Sequence, residues 1–155
     1  MHALTLLFLV ALVAHAAVQL WLARRQIRFV AAHAATVPAG FAAVISPADH
    51  AKAASYAVAK QRLGMIETVY EVMLALGLTV GGGIALVGAW SAQATDSPLL
   101  SGTLHVLGVF AAMAVLGLPF SVYRTFVQEQ RFGFNRTRPA VFVTDLMKGW
   151  TLGLV

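Results

Sequence analysis

Two acids four residues apart, Glu67 and Glu71, are the side chains best placed in this sequence to do chemistry. The i, i+4 spacing puts both carboxylates on one helical face, and they interrupt an otherwise apolar run from Leu63 to Trp90. Hydrocarbon offers an ionised carboxylate no partner, so acids in a membrane helix face a polar interior, an ion path or the headgroup layer. Three readings of the pair therefore stand side by side: both at the inner headgroups, both facing an enclosed polar cavity, or one serving as a proton-coupled site. Val72 to Trp90 is 19 residues. At 1.5 Å per residue that is about 28 Å of helix, close to a hydrocarbon core of about 30 Å.

The other chemistry-bearing types are scattered. The five histidines are His2, His15, His33, His50 and His105. Each is followed by Ala or Val and no two are four apart, so no His-Glu-x-x-His zinc helix can be built from them. His15 and His105 fall in apolar runs and are expected to be hydrogen-bonded packing residues. With no Cys, a thiolate nucleophile, a disulfide and a Cys-ligated metal are excluded. Nothing groups a serine, an acid and a histidine as a triad. The residues thus supply no catalytic group and no metal site of their own. Gly77, Gly81, Gly82, Gly83 and Gly88 crowd the second apolar run. Gly77 and Gly81 form a small-xxx-small pair that lets helix backbones approach closely, within the protein or as a homodimer seam. A phosphate loop would need a strand and a lysine there, and both are lacking.

The elements that hold these residues are membrane helices. Hydrophobic residues make up 59% of the 155 and charged residues 11%, where a soluble domain carries about 25% charged. Mean hydropathy is +0.79. The net charge of +5 points to lipid headgroups rather than nucleic acid, because the basic residues flank membrane-length runs.

Three runs are long enough to cross: 3–22, 63–90 and 98–123. A fourth starts at about 149 and stops after seven residues. The first is read as an anchor rather than a signal peptide, since Arg24, Arg25 and Arg28 follow the apolar stretch instead of preceding it. All eleven Lys and Arg lie within 24–62 and 124–148. Positive charge stays in the cytoplasm, so the N-terminus is expected outside, both basic segments inside, and the 91–97 link outside. The fold class is all-α: a multi-pass transmembrane helical protein with about three full spans, the start of a fourth, and long cytoplasmic amphipathic helices. Asp96 is the one charge in the short outer link, which implies an antiparallel hairpin.

Within the first inner segment, Ser46-Pro47-Ala48-Asp49 reads as a helix start, with Ser46 as N-cap, Pro47 at the first position and Asp49 at the capping-box position. No breaker follows before Trp90. One helix of about 66 Å is expected, the alternative being a surface helix plus a separate span. In the second inner segment Pro119 is expected to kink or end the third span. Phe132-Gly133-Phe134-Asn135 reads as a turn with Gly133 free to take positive φ, and Pro139 starts a further helix.

Several of these residues resemble the type I CAAX prenyl endopeptidases, a family of integral-membrane zinc metalloproteases. The resemblance rests on Leu118 to Val127, on Gln128-Glu129-Gln130-Arg131-Phe132-Gly133-Phe134-Asn135, and on Asp145 to Gly149. Trp21-Leu22, Arg25-Gln26, Val37-Pro38, His50, Tyr56 and Arg62-Leu63 look similar as well. It covers about Leu20 to Val155 and implies spans that enclose an intramembrane chamber. It also implies a zinc ion held by a His-Glu-x-x-His helix beyond the equivalent of Val155, so this chain is expected to be the N-terminal portion, inactive alone and without the catalytic zinc domain. The partners implied are the lipid bilayer, the remainder of the protease, and a peptide or prenylated protein substrate. The chamber-facing candidates are Glu67 and Glu71. The location implied is a bacterial inner membrane, or the endoplasmic reticulum in a eukaryote. Two rival readings stay open: a small dimeric proton-coupled transporter and a non-catalytic membrane scaffold.

Overall fold

The computed structural model describes residues 3–153. Among them every regular element is helical, and they fall into two units divided between Leu118 and Pro119. The last two residues of the expected fourth-span start, 154 and 155, lie outside the described residues, as does His2.

In the first unit, α1 runs Ala3–Ala32, ten residues past the apolar stretch. The extension carries Arg24, Arg25 and Arg28 and meets no helix breaker before Pro38. A short 3-10 turn at Ala39–Phe41 leads to α2, Pro47–Thr79. The start of α2 is the anticipated cap: the Asp49 N–H donates to Ser46 Oγ at 3.1 Å, and Ser46 Oγ donates to Asp49 Oδ2 at 2.6 Å. Helices α1 and α2 pack against each other as an antiparallel pair. Its connected end is tied by His50 Nε2, which donates to the His33 carbonyl at 3.1 Å, while His33 Nδ1 lies 2.8 Å from the Phe29 carbonyl.

The single helix expected from Pro47 to Trp90 is two helices. No break separates the basic part of α2 from its apolar part, but α2 ends at Thr79, and α3, Gly83–Ala94, leaves at 50° to it. The glycines explain the break. Gly82 adopts φ +81°, a left-handed conformation that a side chain disfavours. The Gly81 N–H reaches back to Leu76 O at 2.8 Å, closing a wide turn. A three-residue link then leads to α4, Pro98–Tyr123. Ser97 starts it, receiving the Leu100 N–H on its hydroxyl at 3.5 Å.

Helices α3 and α4 meet on small residues. A Cβ at Gly88 would lie 3.1 Å from the His105 ring, and one at Gly108 would lie 2.7 Å from Val87 Cγ1. Ser91, also on α3, is 1% exposed and donates to Gly88 O at 2.9 Å. The close packing expected at Gly77 and Gly81 thus falls to Gly88 and Gly108. Open space surrounds the Gly77 position, and the space beside Gly81 is taken by the Gly77 carbonyl of the same break.

In the second unit the helix expected to kink or end at Pro119 continues through it to Tyr123. A π-helical stretch, Arg124–Glu129, and a last turn, α5, Gln130–Phe132, come next. The loss of one N–H at Pro119 is tolerable where no α-helical partner is forced. Gly133 ends the element at φ +73°, the turn its sequence foreshadowed. Helix α6, Pro139–Gly153, places Phe142 edge-on to Phe126, with ring centroids 5.3 Å apart.

Neither unit has an apolar core of the kind a water-soluble domain needs. Ala54 is the one buried hydrophobic residue among those described. The most apolar windows of the helices at Ala3–Ala32 and Pro98–Phe132 contain no buried residue, though both are long and apolar enough to cross a membrane. The bent α2–α3 pair passes the same test taken together. Large apolar side chains facing outward are stable only in lipid or against other helices.

Candidate functional site

Where α1 and α2 run side by side, the covered positions of α1 are apolar (Leu12, Ala16, Leu20, Ala23, Ile27 and Val30), and a partly polar open groove lies beside that contact. From α1 come Gln19, Arg25 and Gln26, with Leu22 and Phe29; from α2 come Gln61, Gly64 and Thr68. These residues recur at three- and four-residue steps, so each set lies on one helical face. Between them is a cavity of about 590 Å³, within the size range of small-molecule sites. Gly64 helps keep it open, since nothing lies within 4 Å of where its Cβ would be. Thr68 donates its hydroxyl proton to Gly64 O at 2.9 Å, which leaves its oxygen as an acceptor. Arg25 rests over the Trp21 ring at 5.7 Å from the centroid, a cation–π contact that fixes the guanidinium beside the opening.

Glu67 and Glu71 do not line this cavity. Glu67 is half-buried and already engaged with a neighbour; Glu71 is exposed. Seven residues past Gly64, Glu71 lies about 20° beyond the Gly64 edge of the groove-lining stripe. Tyr70, on the far side of the same helix, donates its hydroxyl to the Leu116 carbonyl of α4 at 3.0 Å. The acids therefore sit between the two faces through which α2 meets its neighbours. His105 packs over Gly88, and His33 and His50 serve the hairpin tie. Among the described residues no three His, Asp or Glu side chains gather as a metal site.

Sequence reasoning passes over Gln19, Gln26 and Gln61. A signal is present: Gln19, Leu22, Gln26 and Phe29 repeat at helical spacing along one face of α1. Within the sequence alone, however, Gln19 reads only as an interruption of an apolar run.

In the second unit the Phe132-Gly133-Phe134-Asn135 motif is a chain reversal rather than a reactive site. The Phe134 N–H donates to Glu129 O at 2.9 Å, a helix-ending bond made possible by the left-handed Gly133. Asn135 Nδ2 donates to Gln130 Oε1 at 3.0 Å and its Oδ1 accepts the Thr137 N–H at 2.7 Å. One amide thus fastens the end of α5 to the start of the next segment. Gln128, in the π stretch, is 6% exposed, and both its amide atoms are buried without a hydrogen-bond partner among the described residues.

Known sequences resemble this chain over most of its length. Residues 26–155 match the family described as "CAAX prenyl protease N-terminal, five membrane helices". The CAAX prenyl protease 1 homolog of Arabidopsis thaliana is 28% identical over 129 residues, covering 77% of this chain and 30% of that protein. The probable CAAX prenyl protease 1 of Schizosaccharomyces pombe is 25% identical over 147 residues, covering 86% and 31%. A segment of 51 residues is 39% identical to the CAAX prenyl protease 1 of Saccharomyces cerevisiae, covering 32% of this chain and 11% of that protein. The chain therefore spans about a third of the first two relatives.

Proposed function

This chain belongs to the CAAX prenyl protease N-terminal family, and on that premise we propose that its helices form part of the wall of an intramembrane chamber in a zinc endopeptidase. The carrying observation is how its side chains divide. No residue of the most apolar windows is buried, as in helices awaiting lipid or partner helices, while glutamine, arginine and threonine line an open groove beside the α1–α2 contact. In this reading three spans cross the bilayer, α2 and α3 counting as one broken span, with the N-terminus outside. Segments 24–62 and 124–148 are cytoplasmic because they hold every Lys and Arg.

Zinc belongs to the wider family. In this reading its ligands come from the His-Glu-x-x-His segment that the resemblance implies, and the residues of this chain act by shaping the chamber. Their contribution is to enclose, exclude lipid and present polar groups to a peptide or prenylated protein substrate. Glu71, exposed on α2, is the candidate acid for that interior, with Glu67 one turn before it.

The chain has no Cys, which makes single-cysteine labelling clean. A polypeptide carrying these residues followed by a His-Glu-x-x-His segment is expected to cleave a prenylated CAAX peptide in a zinc-dependent way. In it, Glu71→Cys reacts with a water-soluble maleimide while Leu86→Cys does not. Absence of cleavage, or equal protection of both positions, overturns the reading. Labelling of positions near 30 and 130 from opposite sides would overturn the orientation.

A further inference from the structure

We propose that the α1–α2 groove is a binding site for the phosphate headgroup of an anionic phospholipid. This goes beyond the chamber-wall reading and does not depend on it. The groove straddles the end of the apolar stretch of α1. Gln19 lies within that stretch, and Arg25 and Gln26 lie past Trp21. Gln19 to Phe29 covers about 15 Å of helix, enough to reach from the hydrocarbon edge through the headgroup layer. No acid lines the groove, whereas one guanidinium and three carboxamides do. Those of Gln19, Gln26 and Gln61 make no hydrogen bond within the described residues. Unbonded donors around a cation, at headgroup depth and open on one side, suit a phosphodiester oxygen. Leu22, on the hydrocarbon side of Arg25, offers apolar surface to the acyl chains below it. Arg24 and Arg28 share the same turn of helix but do not line the groove, so bulk surface charge and a shaped site can be told apart.

The test uses the chain in phosphatidylcholine nanodiscs, with Trp90 and Trp150 replaced by Phe so that Trp21 alone reports. Brominated phosphatidylglycerol is expected to quench Trp21 about two-fold more than brominated phosphatidylcholine does, in line with the pull of a cation on an anionic headgroup. Gly64→Leu fills the open space without changing charge and is expected to abolish the preference, as is Arg25→Gln. Arg24→Gln is expected to keep most of it. Equal quenching by the two lipids, a preference that survives Gly64→Leu, or equal losses from Arg24→Gln and Arg25→Gln would overturn the site. Release of the preference by millimolar inorganic phosphate would assign the groove to a free anion instead of lipid.

Discussion

Beside the α1–α2 contact, glutamine, arginine and threonine line an open groove. Between α3 and α4, glycine, a buried serine and an imidazole are in contact. Both pairs are antiparallel, but the first carries charges along its length and leaves space at its flank, while the second has no Asp, Glu, Lys or Arg and excludes space. The difference comes from what stands opposite each glycine. Gly88 and Gly108 meet side chains of a neighbouring helix, so each removes an obstacle and lets backbones close. Gly64 faces nothing, so its missing side chain becomes volume. A small residue therefore marks a seam or a cavity according to its partner, and a sequence shows only the small residue.

That contrast can be broken most severely at the closed pair. Gly108→Val puts a branched side chain where even a Cβ would lie 2.7 Å from Val87 Cγ1, and such overpacking costs about 1–3 kcal/mol. SDS-titration unfolding followed by helical circular dichroism should show it, and an unchanged midpoint would mean the two helices do not meet there. Gly82→Ala strains the break between the two pairs, since φ +81° costs an L-residue about 1–2 kcal/mol. The same titration reads it. Tyr70→Phe removes the hydroxyl bond that ties α2 to α4, a loss of about 0.5–1.5 kcal/mol. The smallest change reverses sign: Gly64→Ala enters open space within a helix and should stabilise by about 0.5–1 kcal/mol. Destabilisation there would show that the gap is already filled.

Much of the fold is legible in the sequence because local chemistry decides it. The Ser46 cap with Pro47 and Asp49, the turn at Gly133 and the restart at Pro139 arise from residues that favour few alternatives. The break at Val80–Gly82 is hidden because consecutive glycines permit both a continuous helix and a left-handed exit. Only tertiary context selects between them. At Pro119 the helix does not end, since a helix can absorb one missing donor. Of the candidate site, Glu67 and Glu71 stand out as charges in an apolar run, while the groove is illegible. Its residues come from two segments far apart in the chain, and their meeting depends on how α1 and α2 align.

The wide turn at Arg124–Glu129 carries a consequence for inheritance. A π segment is in effect an α-helix that has absorbed an extra residue, so the residues after Glu129 are turned by about 100° from where an unbroken spiral would present them. A one-codon deletion inside it would rewind the helix and aim Gln130 and Arg131 elsewhere, carrying the Asn135 clasp round with them. The coding sequence should therefore tolerate many exchanges of letter across this stretch and very few changes of length.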